Sequence, residues 1–288
     1  MFSSQLCEKT LYQLAQKSPQ LQVFSIAETR YCRSVLAARL GAGTRRVLLA
    51  GAFHANEWIT ALVLLKFCRE LLAAPPQAQV CLVPLVNPDG ADLVTGALDP
   101  DSDQYRSADT IAARYPAIPF PSGWKANGVG VDLNLNFPAG FARAVQIKQS
   151  MGFTGPAPCN WPGIAPLTQP ETRGLAELTR RFDPHLVLAL HTQGQEIYWR
   201  YGSFCDEAAE SLGRRMADAS GYRLCSPPPI SSYAGYKDWF ISRFDRPGYT
   251  VEAGLGTNPL PCAQFPAVYQ SLRAILQLAV SGGQYRGS

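Results

Sequence analysis

Histidine is scarce in this chain. Only three occur in 288 residues, at positions 54, 185 and 191, so any chemistry that needs an imidazole must be built from these. Cysteine occurs eight times but never as a C-x-x-C pair. That spacing argues against a thiolate zinc site, which takes closely paired cysteines. A chain of this length buries enough apolar surface to do without disulfide staples, so the thiols are expected to be reduced and mostly small buried hydrophobes. No stretch approaches the ~18 consecutive apolar residues of a spanning helix, and no membrane partner is expected. The net charge is +4, yet Lys and Arg form no run that could follow a phosphate backbone, so nucleic acid is not an expected partner. The opening MFSSQLCEKTLYQLAQ has no basic segment followed by an apolar core, so a cytoplasmic location is expected. There is no internal repeat and no low-complexity tract.

Hydrophobic residues make up 47% of the chain, enough for one large core, and residues 1–288 are expected to form one domain. Leu6, Leu11, Leu14 and Ala15 recur near helical spacing at the N-terminus. Residues 21–40 suggest two strands. RRVLLAGAFH, QVCLVPLV, HLVLALH and PGYTVEAG are apolar runs of buried-strand type, the second closed by an expected turn at Asn87–Gly90. Helical patterns lie between them, at 57–74, 168–182, 205–220 and 263–281. Residues 95–165 are rich in Gly, Pro, Asn and Asp and are expected to be long functional loops. Strands alternating with helices imply an α/β fold whose parallel or mixed sheet is covered on both faces.

His54 and Glu57 form H-x-x-E directly after an expected strand, a spacing that puts both side chains on one face of a helical turn. His191 ends another strand run. In open α/β sheets, ligands gather at the carboxyl ends of strands, so these three residues are expected on one rim. Two imidazoles and a carboxylate leave one zinc position open, the donor set of a catalytic site. His185 lies six residues before His191, roughly 20 Å away by strand rise, and is expected to be structural. Glu252 ends a fourth strand run. A carboxylate there is costly unless paired or functional, and beside a metal-activated water it could act as general base.

GAFHANEWIT, GVDLNLNFP, LALHTQGQ and YTVEAGLGTNP, in that order, resemble the zinc metallocarboxypeptidases of the carboxypeptidase A type. The resemblance implies a three-layer α/β/α sandwich around a mixed, mainly eight-stranded twisted sheet. It implies one Zn2+ per chain on His54, Glu57 and His191, with Glu252 as the catalytic glutamate. Asn134 matches an Asn that helps hold the substrate, and Tyr233 matches a mobile tyrosine that closes over it, with Tyr236 as the rival. The family's Arg for a free C-terminal carboxylate is here Leu135, which cannot pair with a carboxylate. Lys125 replaces the Arg that polarises the scissile carbonyl; it keeps the charge but not the bidentate fork.

GWKANGVGVDLNLNFPAGF and SSYAGYKDWF are more similar to the bacterial γ-D-glutamyl-L-diamino acid endopeptidases, which cut the peptidoglycan stem peptide. This branch implies a muropeptide substrate. Lys237, just before Asp238 and Trp239, falls at the floor of the pocket beyond the cut bond. A lysine there would be an unpaired charge unless the substrate side chain ends in a carboxylate, as diaminopimelate does. Two other readings stay open: a zinc carboxypeptidase or amidase for another small acidic peptide, and a non-catalytic peptide-binding relative.

Overall fold

The computed structural model describes residues 2–282; Met1 and residues 283–288 of the expected 1–288 unit lie outside the described residues. The chain begins with α1 (Ser4–Lys17), the antiparallel pair β1 (Gln22–Glu28) and β2 (Ser34–Leu40), then β3 (Arg46–Gly51), α2 (Ile59–Ala73), β4 (Gln79–Val83) and α3 (Pro88–Val94). After α4 (Asp103–Ala112), α5 (Phe141–Ser150) and α6 (Pro170–Phe182) come β5 (Leu186–His191), β6 (Glu196–Tyr198), α7 (Glu207–Ser220) and β7 (Arg223–Cys225). The chain closes with α8 (Tyr236–Phe244), β8 (Gly248–Glu252) and α9 (Phe265–Ser281).

The eight strands among the described residues form one sheet in the order β1-β2-β4-β3-β5-β8-β6-β7. Its centre, β4-β3-β5-β8, is parallel; β2 joins β4, and β6 joins β8, antiparallel. The mixed eight-stranded α/β sandwich is thus as expected. The unbroken apolar runs arise because the central strands are buried on both faces. Leu186, Leu188 and Leu190 pack into the layer of α1, α2, α7 and α9, while Val187 and Ala189 face α6 and α8. Burying one such leucine stabilises the fold by about 1.5–3 kcal/mol.

Parallel strands put their carboxyl ends on one edge. His191 pairs with Glu252, and Gly51 with Leu190, so the ends of β3, β5 and β8 lie side by side. Beyond Gly51, Ala52 adopts φ +50°, a left-handed conformation uncommon for a residue with a Cβ. The Thr60 hydroxyl holds that turn, accepting from Ala52 N–H at 2.8 Å while donating to the Glu57 carbonyl at 2.9 Å.

Three expectations change. Residues 95–165 are not only loops: α4 is capped by Ser102, whose Oγ accepts from Tyr105 N–H at 3.2 Å, and α5 follows directly on Gly140. Their short, polar repeats were masked by the surrounding turn residues. The Asn87–Gly90 segment is the start of α3 rather than a turn, with Asn87 Oδ1 accepting from Gly90 N–H at 3.0 Å. The Asn87 amide also donates to the carbonyls of Phe53 and Ala126 at 3.1 and 3.0 Å, tying the β3 exit to the 124–127 segment. The strands β6 and β7, three residues each, are too short to show a period, and α8 is apolar on too many sides to show one.

The 124–132 loop is further anchored on α6. Asn127 donates to Gln169 Oε1 and to Glu171 Oε1 at 3.0 and 3.2 Å, while Glu171 is 1% exposed and its Oε2 has no partner. Burial pushes the Glu171 carboxyl up to about 7, and nearby Asp89 adds to this. The fold therefore favours the protonated acid. Its contribution is complete below the ordinary value of 4.5 and is lost as pH rises through about 7. Glu171→Gln removes the ionisation while keeping the shape. The variant is expected to be about 2 kcal/mol more stable than wild type at pH 8 and no more stable at pH 4. Urea midpoints at the two pH values read this directly, and an identical shift at both would contradict it.

Candidate metal and catalytic site

Glu57 lies in a short 3-10 turn (Ala55–Glu57) between β3 and α2, and only 1% of it is exposed. Its carboxylate is surrounded by nitrogen. His54 Nδ1 lies 2.9 Å from Oε1 and His191 Nδ1 2.9 Å from Oε2. Lys125 Nζ donates to Oε1 at 3.1 Å and Thr192 N–H to Oε2 at 3.2 Å. Burial alone would raise the Glu57 carboxyl, but the charges of His54, Lys125 and His191 outweigh it and hold the group well below the usual carboxylate range.

His54 Nε2 lies 3.0 Å from Asp132 Oδ1, and Asp132 Oδ2 accepts from Asn160 N–H at 3.0 Å. That contact occupies one ring nitrogen and turns the other, Nδ1, towards Glu57 and His191. Phe53 stacks on the His191 ring with centroids 5.2 Å apart. Burial opposes a charge on His54, yet Glu57 and Asp132 prevail and raise its pKa to about 10. The geometry thus favours positive charge at this point.

The ligand atoms of His54, Glu57 and His191 all lie within 4.8 Å of one another. Donors bonded to one tetrahedral ion at about 2.0–2.2 Å lie roughly 3.5 Å apart, so side-chain shifts of about 1 Å draw this set onto the ion. Two neutral imidazoles and a carboxylate are a zinc donor set, and Asp132 supplies the outer hydrogen bond that orients such a histidine. The residues fit the ion. His185 does not take part: it is exposed at the start of β5, and its Nδ1 accepts from Arg46 N–H at 3.1 Å.

A profile of the zinc carboxypeptidase family matches residues 7–271. This chain belongs to that family. It is 37% identical over 272 residues to gamma-D-glutamyl-L-diamino acid endopeptidase 1 of Lysinibacillus sphaericus, covering 89% of this chain and 66% of the relative. The chain thus spans just under two thirds of the length of the curated relatives it matches, since an uncharacterized Bacillus subtilis protein (38% identical) is covered over 65%. The fold is similar to that of bovine thrombin-activatable fibrinolysis inhibitor, with TM-score 0.76, 16% identity and 98% and 97% of the two chains covered. It is also similar to carboxypeptidase A from Helicoverpa armigera, with TM-score 0.74, 18% identity and coverages of 99% and 75%. The zinc expected from the sequence is therefore the family's ion.

A cavity of about 260 Å³ opens beside the three ligands, lined by Lys125, Asn134, Leu135, Lys148, Lys237, Asp238 and Glu252 among others. The Glu252 carboxylate has no hydrogen-bond partner among the described residues. Burial pushes its pKa up and adjacent Glu57 adds to this, against the pull of His191, Lys125 and His54. Asn134 Oδ1 accepts from Tyr236 N–H at 3.2 Å. Tyr233 packs edge-on against Tyr201, with centroids 6.5 Å apart, and does not line the cavity in this conformation. Tyr236 is fully buried, with its hydroxyl 2.8 Å from that of Thr179, so it is a core residue and no longer a rival for a mobile role. Lys237 is 3% exposed and lines the cavity, but its charge is not unpaired. It pairs with the buried Asp238 and donates to the Arg200 carbonyl at 2.8 Å.

Asp132, Asn258 and Lys148 had not been singled out in the sequence. Asp132 and Asn258 lie within two of the motifs already quoted, and Asn258 accepts from the Thr192 hydroxyl at 2.7 Å. Nothing in the sequence marked Lys148.

The purified protein is expected to carry about one zinc per chain. His54→Ala and His191→Ala are expected to lose it, and Asp132→Asn to bind it about 10- to 100-fold more weakly. Metal analysis and chelator competition read these outcomes; full zinc retention by both histidine variants would remove the site.

Proposed function

We propose that the chain is a zinc metallopeptidase that hydrolyses γ-D-glutamyl–diamino acid bonds of peptidoglycan stem peptides. One observation carries the catalytic part. Glu252, the register partner of His191, offers a carboxylate without a protein partner to the cavity beside the three metal ligands. A peptide-binding relative would need no such base. The substrate part rests on the 37% identity to an endopeptidase of that name and on Leu135, which offers no cation to a free C-terminal carboxylate.

When bound, zinc supplies Lewis-acid chemistry between His54, Glu57 and His191. Glu252, its carboxyl raised by burial, takes the proton of the attacking water and passes it to the leaving amine. Lys125 faces the scissile carbonyl and stabilises the charge growing on its oxygen. Asn134 holds the peptide, and Tyr233 swings in from its place against Tyr201 to cover it. Lys237 and Asp238 meet the far end of the diamino acid. The paired charges suit a diaminopimelate terminus, which carries both a carboxylate and an ammonium group, rather than a carboxylate alone. All eight cysteines are free, which supports a reducing, cytoplasmic compartment and released muropeptide fragments as substrate.

Glu252→Gln is expected to retain zinc and to bind a defined L-Ala-γ-D-Glu-diaminopimelate peptide, while kcat falls ~100-fold or more. Lys125→Ala is expected to lower kcat more than affinity, because the charge it meets grows in the transition state. Products identified by mass spectrometry check the bond cut. Near-normal kcat in Glu252→Gln would move the general base elsewhere.

A further inference from the structure

Lys148 is a lysine in an unusual setting. It sits in the last turn of α5, is 5% exposed, and lines the cavity of the proposed active site. Its ammonium group has neither an ion pair nor a hydrogen bond among the described residues, and it is not walled off from the cavity. A buried charge left without a partner is costly. Asp132 attracts the charge from a distance but gives it no hydrogen bond, its oxygens being bonded to His54 and to Asn160 N–H. Lys125 stands close enough to oppose the charge further.

The wider balance points the same way. Four carboxylates (Glu57, Asp132, Asp238 and Glu252) and three lysines (Lys125, Lys148 and Lys237) line the cavity. Of the three, Lys125 is bonded to Glu57 and Lys237 to Asp238. A divalent ion on His54, Glu57 and His191 turns the sum positive. The lysine with no internal partner is then the one available to an anion that arrives with the substrate.

We infer that Lys148 anchors the free α-carboxylate of a γ-linked glutamyl residue on the acyl side of the cut bond. This rests on the proposed function and names the group that the site reads. In a γ-glutamyl link the scissile carbonyl and the free carboxylate are separated by three carbons. The two carboxyl carbons are therefore about 5 Å apart when the chain is extended. That distance keeps the carboxylate within the same cavity as the reacting carbonyl. An α-linked residue has no main-chain carboxylate there. Lys148 lies with Lys125, Asp132 and Cys159, the group around the carbonyl-facing lysine, whereas Lys237 lies against Arg200 and Gly248, and with its partner Asp238 takes the leaving side. Leu135 removes one cation from this cavity, and Lys148 on α5, thirteen residues further along, brings in another at a different point.

The test compares two peptides on zinc-loaded enzyme: L-Ala-γ-D-Glu-meso-diaminopimelate, and the same peptide with the glutamyl α-carboxylate converted to a carboxamide. Wild type is expected to prefer the acid by at least ~10-fold in kcat/KM, with most of the difference in KM. Lys148→Met, which fills the same space without charge, is expected to bring the two peptides within ~3-fold of each other, the loss falling on KM for the acid. Lys148→Arg is expected to restore the preference, which a merely structural role would not do. Zinc content and melting temperature verify that each variant is folded. Equal cleavage of the two peptides by wild type, or an undiminished preference in Lys148→Met, would overturn the inference while leaving the peptidase reading intact. Cleavage of neither peptide by wild type would overturn that reading and this inference together.

Discussion

Glu57 is an almost fully buried carboxylate that has to stay ionised. Isolated in an apolar interior, such a charge would cost several kcal/mol and would neutralise instead. Here two imidazoles, an ammonium and a backbone N–H converge on its two oxygens. They come from three parts of the chain: His54 from the β3 exit, His191 and Thr192 from the end of β5, Lys125 from the long loop. The carboxylate is therefore the point at which sheet, turn and loop have to agree, and misplacing any one of them leaves a buried charge exposed to its full desolvation cost.

The sheet makes that agreement possible. Parallel β3, β5 and β8 end on one edge, and the pairing of His191 with Glu252 places a metal ligand and the proposed base next to each other. The loop is held separately. Asn87 ties the 124–127 segment to the β3 exit, Asn127 ties it to α6, and Asp132 fixes the far nitrogen of His54. Buried side-chain amides and carboxylates satisfied in this way specify one arrangement, because every alternative strands a polar group. The result is a rigid frame on one side of the cavity. On the other side is the segment carrying Tyr233, half-buried against Tyr201. A firmly held candidate metal site beside a less deeply packed segment suits the entry and release of substrate that the proposed function requires.

The amino-acid pattern by itself marked the order of the main strands and helices, and the residues offered as metal ligands and as base. Continuous apolar runs ending in His191 and Glu252, and H-x-x-E after the β3 run, are local signals that survive without a structure, since strand ends in an α/β sheet collect the chemistry. Short elements carried no such signal: β6 and β7 have three residues each, and α4 and α5 lie among turn residues that hide their period. Only the tertiary structure decided which charges are already matched. In the sequence Lys237 reads as an unpaired cation, whereas Asp238 pairs with it in the fold, and Tyr236, the alternative to Tyr233 for the mobile tyrosine, lies in the core. Lys148, thirteen residues beyond Leu135, falls in a segment that reads as loop; the last turn of α5 brings it into the cavity without a partner among the described residues. The reason is physical. Residue type and spacing fix which groups a segment can offer, but whether a charge is paired depends on atoms brought within a few ångströms by parts of the chain remote in sequence.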